Sequence, residues 1–241
     1  MKNKELLSQF HLLLNNYTKQ AGFSPYQDCG VARITNDHVF QLIYVHEHRF
    51  SETFTIEIVS RPLFYPTDIL TLTPGNRLNK FASKGKVDKW WDTASPEQLQ
   101  ASFHEISQLL QVYAFPFFEA TGSGKGIKQS RRTTIFGRSR FGKRVYWGAR
   151  EWDLFETGHL HLWNGDLKAA RTRLNDAHDL FSADKREWAA EAARDCLLLL
   201  ALTEKGPSYI SSYLDMVVRQ SREKLGLLNW FPTTEQAIAI Y

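Results

Sequence analysis

Near the start of the chain apolar residues recur every three to four positions. Leu6, Phe10, Leu13, Tyr17 and Ala21 fall on one face, which predicts an amphipathic helix, and Gly22 stands where a left-handed terminating residue is expected. The period then drops to two. Val31, Arg33 and Thr35 alternate with Ala32 and Ile34, and Asn36-Asp37 reads as a tight hairpin turn. His38 to Val45 is apolar on both faces, as a central strand is. Ser51 to Ser60 alternates, with Phe54, Ile56 and Ile58 inward and Thr53, Thr55 and Glu57 outward, so this strand is expected to keep one face in solvent. The short connections predict an antiparallel meander. After Arg61-Pro62 the pattern dissolves into a Pro- and Gly-containing loop that lasts until about Trp91.

A capped helix follows. Ser95 is the expected N-cap, Pro96 fits the first helical position and Gln98 completes an S-x-x-Q capping box. Leu99, Phe103, Ile106, Leu110, Tyr113 and Phe117 then form one apolar stripe, which Pro116 is expected to kink or end near Tyr113. The last ninety residues read as helices joined by short turns. Gly158, Gly165, Ala170, Leu174 and Ala177 have the spacing of one tetratricopeptide-like helix pair, with Gly165-Asp166 as its turn. The pattern does not recur further on, so one repeat-like pair is expected to precede two longer helices, Lys185 to Glu204 and Pro207 to Leu225. The fold class is therefore α+β, an antiparallel sheet with flanking helices, followed by an all-α helical-hairpin domain. The boundaries are 1–119 for the α+β domain, 120–146 for a basic Gly-containing connector and 147–241 for the helical domain.

Charge sharpens that division. Ala120 to Arg150 holds nine Lys/Arg residues and no Asp or Glu, whereas the whole 241-residue chain has a formal net charge of only +4. The basic character belongs to the middle stretch alone, where an anionic or acidic partner could use it. Cys29 and Cys196 lack the spacing of a disulfide framework or a metal site, which suits a reducing compartment. The N-terminus has no signal-peptide core, and the longest apolar run, Cys196 to Leu202, is far short of a membrane span. A cytoplasmic protein without membrane association is the expectation.

Candidate chemistry is sparse. Gly122-Ser123-Gly124-Lys125-Gly126 suggests a phosphate loop, but Glu119 stands where the first Gly is needed and Gly126 where the magnesium-binding Ser/Thr is needed, so a flexible connector is the better reading. His46 and His48 share a strand face but lack a third metal ligand, since Glu47 points the other way; His159 and His161 diverge on a helix. No nucleophile–base or zinc motif is present, and no cofactor or metal is implied. Trp90-Trp91 cannot point both rings inward, so one is expected in the core and the other over a surface groove, where Trp commonly anchors a partner. Phe136-Gly137-Arg138 nearly repeats as Phe141-Gly142-Lys143, interleaving rings with cations as single-strand binders do. The binding residues this singles out are Arg131, Arg132, Arg138, Arg140, Lys143 and Arg144, together with Trp90 and Trp91.

One resemblance is carried by several short stretches. A leading helix that ends in Ala21-Gly22-Phe23 precedes strands with Arg33 and Phe40-Gln41-Leu42, then Phe54-Thr55-Ile56-Glu57-Ile58, Lys89-Trp90-Trp91-Asp92 and the Gln98–Phe117 helix. Over roughly residues 5–120 this resembles the bacterial family known as domain of unknown function 4304. The resemblance implies a small α+β domain without assigned activity or catalytic residues, in a setting associated with immunity or defence. The reading that follows is a non-catalytic, cytoplasmic binding protein with a protein partner. The alternative is a nucleic-acid-associated protein that uses the basic 120–150 segment.

Overall fold

The computed structural model describes residues 4–28, 30–66, 75–82, 88–130 and 149–230. These form two compact units: one takes residues up to 61 together with 75–123, the other 62–66, 124–130 and 149–230. The fold is α+β, an antiparallel sheet with flanking helices, followed by an all-helical C-terminal region.

In the first unit, helix α1 (Lys4–Thr18) buries Leu6, Phe10, Leu14 and Thr18, a stripe at spacings of four with Leu13 and Tyr17 at its half-exposed margin. A 3₁₀ turn, Lys19–Ala21, closes it, and Gly22 at φ 78° donates its N–H to Lys19 O. The sheet then runs β1 (Ser24–Tyr26), β2 (Gly30–Ile34), β3 (Val39–Glu47), β4 (Thr53–Pro62) and β5 (Gly75–Arg77) in spatial order, with β6 (Trp91–Asp92) also paired to β4. Arg33 sits opposite Gln41 and Ala32 opposite Leu42 in the β2–β3 ladder. β3 is buried on both faces along most of its length, as a central strand should be.

Helix α2 (Leu78–Ala82) follows β5. After β6 come α3 (Pro96–Leu109), a π turn (Leu110–Ala114) and α4 (Phe115–Thr121). Ser95 Oγ accepts the Gln98 N–H at 3.3 Å, so the expected cap is in place. These helices cover one sheet face. Phe10 lies 4.5 Å from Phe54, ring to ring, and Phe23 lies 5.4 Å from Phe118. A buried polar network crosses the same layer: Arg33 Nε donates to Gln41 Oε1 at 2.7 Å, Arg33 Nη1 to Ala21 O at 2.6 Å and Gln41 Nε2 to Phe118 O at 2.6 Å. An arginine that is only 7% exposed is tolerable because its donors are satisfied in this way.

Two expectations for this unit need correction, and one needs refinement. The stretch between Pro62 and Trp91 is not loop throughout, since β5 and α2 lie within it; three-residue strands and a five-residue helix are too short to leave a period in the sequence. The α-helical pairing is interrupted near Tyr113, where Pro116 predicts a kink or an end, but the chain stays helical through it. The π turn puts the Phe115 N–H on Leu110 O, and Pro116 enters the first turn of α4, where its missing donor costs little. β4 does not present a solvent face, because Thr55 is fully buried and Glu57 is 6% exposed. Polar alternation marked two different faces, not a dry one and a wet one.

In the second unit, Gly124–Ser130 is helix α5, with Gly124, Ile127 and Ser130 buried, where the sequence suggested a flexible connector. Helices α6 (Arg150–Trp163) and α7 (Leu167–Ala183) form a hairpin around Gly165 at φ 73°, and α8 (Glu187–Lys205) and α9 (Pro207–Lys224) complete the region. Leu154, Leu160, Ala170, Leu174, Ala177, Phe181, Cys196 and Leu199 supply its core. Phe64, from the short segment that follows β4, stacks on Trp163 in this unit with ring centroids 4.4 Å apart and planes 7° from parallel.

Candidate functional site

Strand alternation divides the β3–β4–β5 region into two chemistries. Phe54, Ile56 and Ile58 turn towards the helices, so Thr55 and Glu57 fall on the opposite face. Glu57 sits opposite Arg77 in the β4–β5 ladder. Its Oε1 accepts from His46 Nδ1 at 3.2 Å and lies 3.5 Å from Arg77 Nε. Arg77 also pairs with Asp88 at 3.1 Å, and Lys80 reaches the same Asp88 oxygen at 3.2 Å. Desolvation would raise the Asp88 carboxyl, but hydrogen bonds and charge from Lys80 and Arg77 outweigh it and leave its pKa below the ordinary value. These pairs are partly solvated, so each adds little to stability. Their structural effect is to hold Arg77 in place.

Arg77 lies over the Trp90 ring, 5.3 Å from its centroid. The two histidines meet the same indole edge-on, His48 at 4.8 Å and His46 at 5.9 Å. At the β3–β4 connection the stripe continues outward. Arg49 lies 5.3 Å over the Phe50 ring, and the Phe50 N–H donates to His48 Nδ1 at 3.2 Å. Phe50 is 84% exposed. The arrangement is a face of cations and rings, with Trp90 half-exposed near its centre and Phe50 projecting from its edge. It can hold an aromatic or aliphatic group between rings, and its arginines can pair with carboxylates around that group.

The Trp90-Trp91 pair is split as its sequence implies. Trp91 is buried on the helix side, 6.2 Å from Phe54, and its Nε1 donates to Glu105 Oε2 at 3.2 Å, while Trp90 belongs to the opposite face. His46 and His48 do share a face, but they meet Trp90 and Glu57, and no group of three His, Cys, Asp or Glu among the described residues is arranged to hold a metal. His159 is fully buried, with Nδ1 3.0 Å from Phe155 O, whereas His161 faces Asp166 at 3.2 Å. Cys196 is a buried free thiol, pushed up to about 12 by burial and by the charge of Asp195, which removes it from thiolate chemistry near neutral pH. Arg131, Arg132, Arg138, Arg140, Lys143 and Arg144 all lie outside the described residues. The sequence reading missed Glu57, Arg77, Asp88 and Phe50. The signal for Glu57 was its place among Thr53 and Thr55, which reads equally well as an exposed face; Arg77, which reaches it, and Asp88, which pairs with Arg77, come from segments with no periodicity.

Geometry thus defines the class: a small α+β sheet domain with a basic, aromatic outer face, joined to a helical region in which no described helix is long and apolar enough to cross a membrane. Residues 14–120 match the family model described as "Domain of unknown function (DUF4304)", so the N-terminal part of the chain is similar to this domain. The match begins within α1 and ends within α4, and the helical region from α5 onward lies outside it. No curated protein and no solved structure matches the chain.

Proposed function

We propose that the chain is a non-catalytic cytoplasmic binding protein whose sheet unit grips a protein partner through Phe50 and Trp90. One observation carries this reading: a phenylalanine 84% exposed at the tip of a hairpin, beside a half-exposed tryptophan ringed by His46, His48 and Arg77. Leaving such rings in water is unfavourable unless a partner covers them, and Trp and Arg are the residues that dominate contact energies. The complementary surface is an apolar pocket bordered by carboxylates. Burial of Cys196 as a free thiol supports a reducing setting. An immunity or defence role would make the first candidate a protein encoded beside this one.

The test uses the full-length chain as bait against the products of adjacent genes, with affinity measured by calorimetry. The expected result is a stoichiometric complex that the Phe50→Ala/Trp90→Ala double variant weakens by about 100-fold, the usual size of a paired hot spot. A companion that binds the double variant as well as the wild type rejects this face, and a chain that stays alone rejects the reading. Nucleic-acid association through Arg131, Arg132, Arg138, Arg140, Lys143 and Arg144 is the second reading. It is supported by the nine cations and the absence of acids between Ala120 and Arg150. Its signature is steep salt dependence, because each phosphate contact releases a counterion.

A further inference from the structure

Helix α8 is apolar on both sides along its middle. Ala189, Ala192, Ala193, Cys196, Leu199 and Thr203 are buried, as the inward stripe of a packed helix should be. The outward side should then be polar, yet Leu197 and Leu198 stand 52% and 50% exposed there. At about 100° per residue, Ala190, Ala201 and Arg194 fall in the arc between these two leucines, and all three are exposed. A single exposed leucine is ordinary. Two adjoining leucines with alanines between them, on the outer side of a helix already packed by its inner side, mark a surface that another body covers.

The charges beside this strip identify the body. Glu191, Leu198 and Lys205 are spaced by seven residues, or two turns, so they lie in one line along α8. The carboxylate and the ammonium bracket the leucines at positions about 21 Å apart along the axis. Neither forms an ion pair among the described residues. Lys205 Nζ lies 5.8 Å over the Tyr209 ring, and Glu191 only adds its charge to the burial that raises the Asp195 carboxyl. A line that reads acid, leucine, base is complementary to itself when reversed. A second α8 laid antiparallel, with the two-fold axis level with Leu197 and Leu198, brings each leucine against the same leucine of the second copy. Arg194 then lays its aliphatic stem over Ala201 of that copy, and each Glu191 stands beside a Lys205. A parallel pair would set Glu191 against Glu191 and Lys205 against Lys205, which repel, and the helix dipoles oppose it as well.

We propose that the chain associates with a second copy of itself through an antiparallel α8–α8 contact, centred on Leu197 and Leu198 and closed at each end by a Glu191–Lys205 pair. The alanines let the two helix axes approach to about 8–10 Å. One helix per copy makes a contact at the small end of specific interfaces, below about 1,200 Å² in total, so the dimer is weak, with a Kd on the order of 10–100 µM. It does not depend on Phe50 or Trp90, which belong to the other unit.

Sedimentation velocity of the full-length chain between roughly 1 and 300 µM should show a reversible monomer–dimer equilibrium. Leu197→Gln/Leu198→Gln should weaken it at least about tenfold. The thermal midpoint of that variant should stay near wild type, since both side chains are already half in water. Glu191→Lys and Lys205→Glu should each weaken the dimer about fivefold, because an unlike pair becomes a like pair at both ends. Combining the two should restore the Kd to within about twofold of wild type. That restoration is specific to the antiparallel register, because in a parallel pair each residue meets its own counterpart and the double swap repairs nothing. A chain that stays monomeric at roughly 300 µM would leave the strip to a different protein and overturn the proposal. So would a dimer that the leucine variant leaves intact, or a double swap no tighter than the single ones.

Discussion

A hydrogen atom is all that fits on Gly158. A methyl group built there would come within 2.7 Å of Leu174 Cδ2, across the α6–α7 seam. Leu174 is fully buried, so it has little room to turn aside. On an open helix, exchanging Gly for Ala gains about 1 kcal/mol of helix propensity. Here the added carbon must displace packed atoms, which costs about 1–3 kcal/mol. Gly158→Ala should therefore lower stability, by about 1 kcal/mol, in urea denaturation followed at 222 nm. In a Leu174→Ala background, where the space is free, the same substitution should be neutral or stabilising. If Gly158→Ala stabilises the otherwise wild-type chain, the two helices are not this close. The sequence shows Gly158 and Leu174 as members of one spacing pattern, but it does not show that they touch. Glu57 makes the complementary case: its alternation is readable, whereas its ion pair comes from Arg77, 20 positions away, which is held in turn by Asp88.

Where periodicity runs long, elements are legible in advance. α1, β3, β4, α3, α8 and α9 all lie close to where the apolar pattern places them, because each repeats its burial over nine residues or more. β1, β5, α2 and β6 are held by pairing and by the chain around them, so they leave no local trace. Turns between elements carry chemistry as well. Asp166 caps α7 by accepting the Ala169 N–H at 3.3 Å, and it also meets Lys128 of α5 at 2.9 Å and His161 of α6 at 3.2 Å. The hydrogen bond from Lys128 comes first among the influences that hold the Asp166 carboxyl below its ordinary value. Burial, followed by the positive charge of Lys128, lowers the His161 pKa despite Asp166. The unfolded chain then binds a proton at His161 before the folded chain does. Stability from this group is complete above about pH 6.5 and is lost as pH falls through the lower folded value. Thermal midpoints measured by circular dichroism should thus fall between pH 7 and pH 5, and His161→Gln should flatten that decline. Some slope should survive, because burial lowers His11 in the first unit with the same sign. A wild-type midpoint that rises as the pH falls would contradict both assignments.

At the scale of the molecule, chain order and spatial order part company. Residues 62–66, which follow β4 directly, belong with the helical unit, although the sequence gives no sign that a sheet connection does so. Phe64 is fully buried there, stacked on Trp163 at 4.4 Å and edge-on to Tyr65 at 5.2 Å. The backbone of Tyr65 is held as well, its carbonyl accepting from Ser221 Oγ of α9 at 3.4 Å. A helical region cut from the chain at Gly124 would lack this cover. Its own residues supply Trp163 and Ser221 but not the Phe64 ring and the Tyr65 carbonyl that meet them, whereas a reading by contiguous segments assigns the Pro62 region to featureless loop. In the full chain, Phe64→Ala removes a buried aromatic side chain and should cost about 3–5 kcal/mol. Phe64→Leu keeps most of the volume and forfeits the ring stacking, worth roughly 0.5–1.5 kcal/mol, so it should fall between wild type and Ala. Guanidinium denaturation read by helical ellipticity and by tryptophan fluorescence distinguishes the three, since Trp163 loses its stacked neighbour in both variants. An Ala variant within about 0.5 kcal/mol of wild type, the range of an ordinary surface change, would show that the segment does not pack into the helical unit at all.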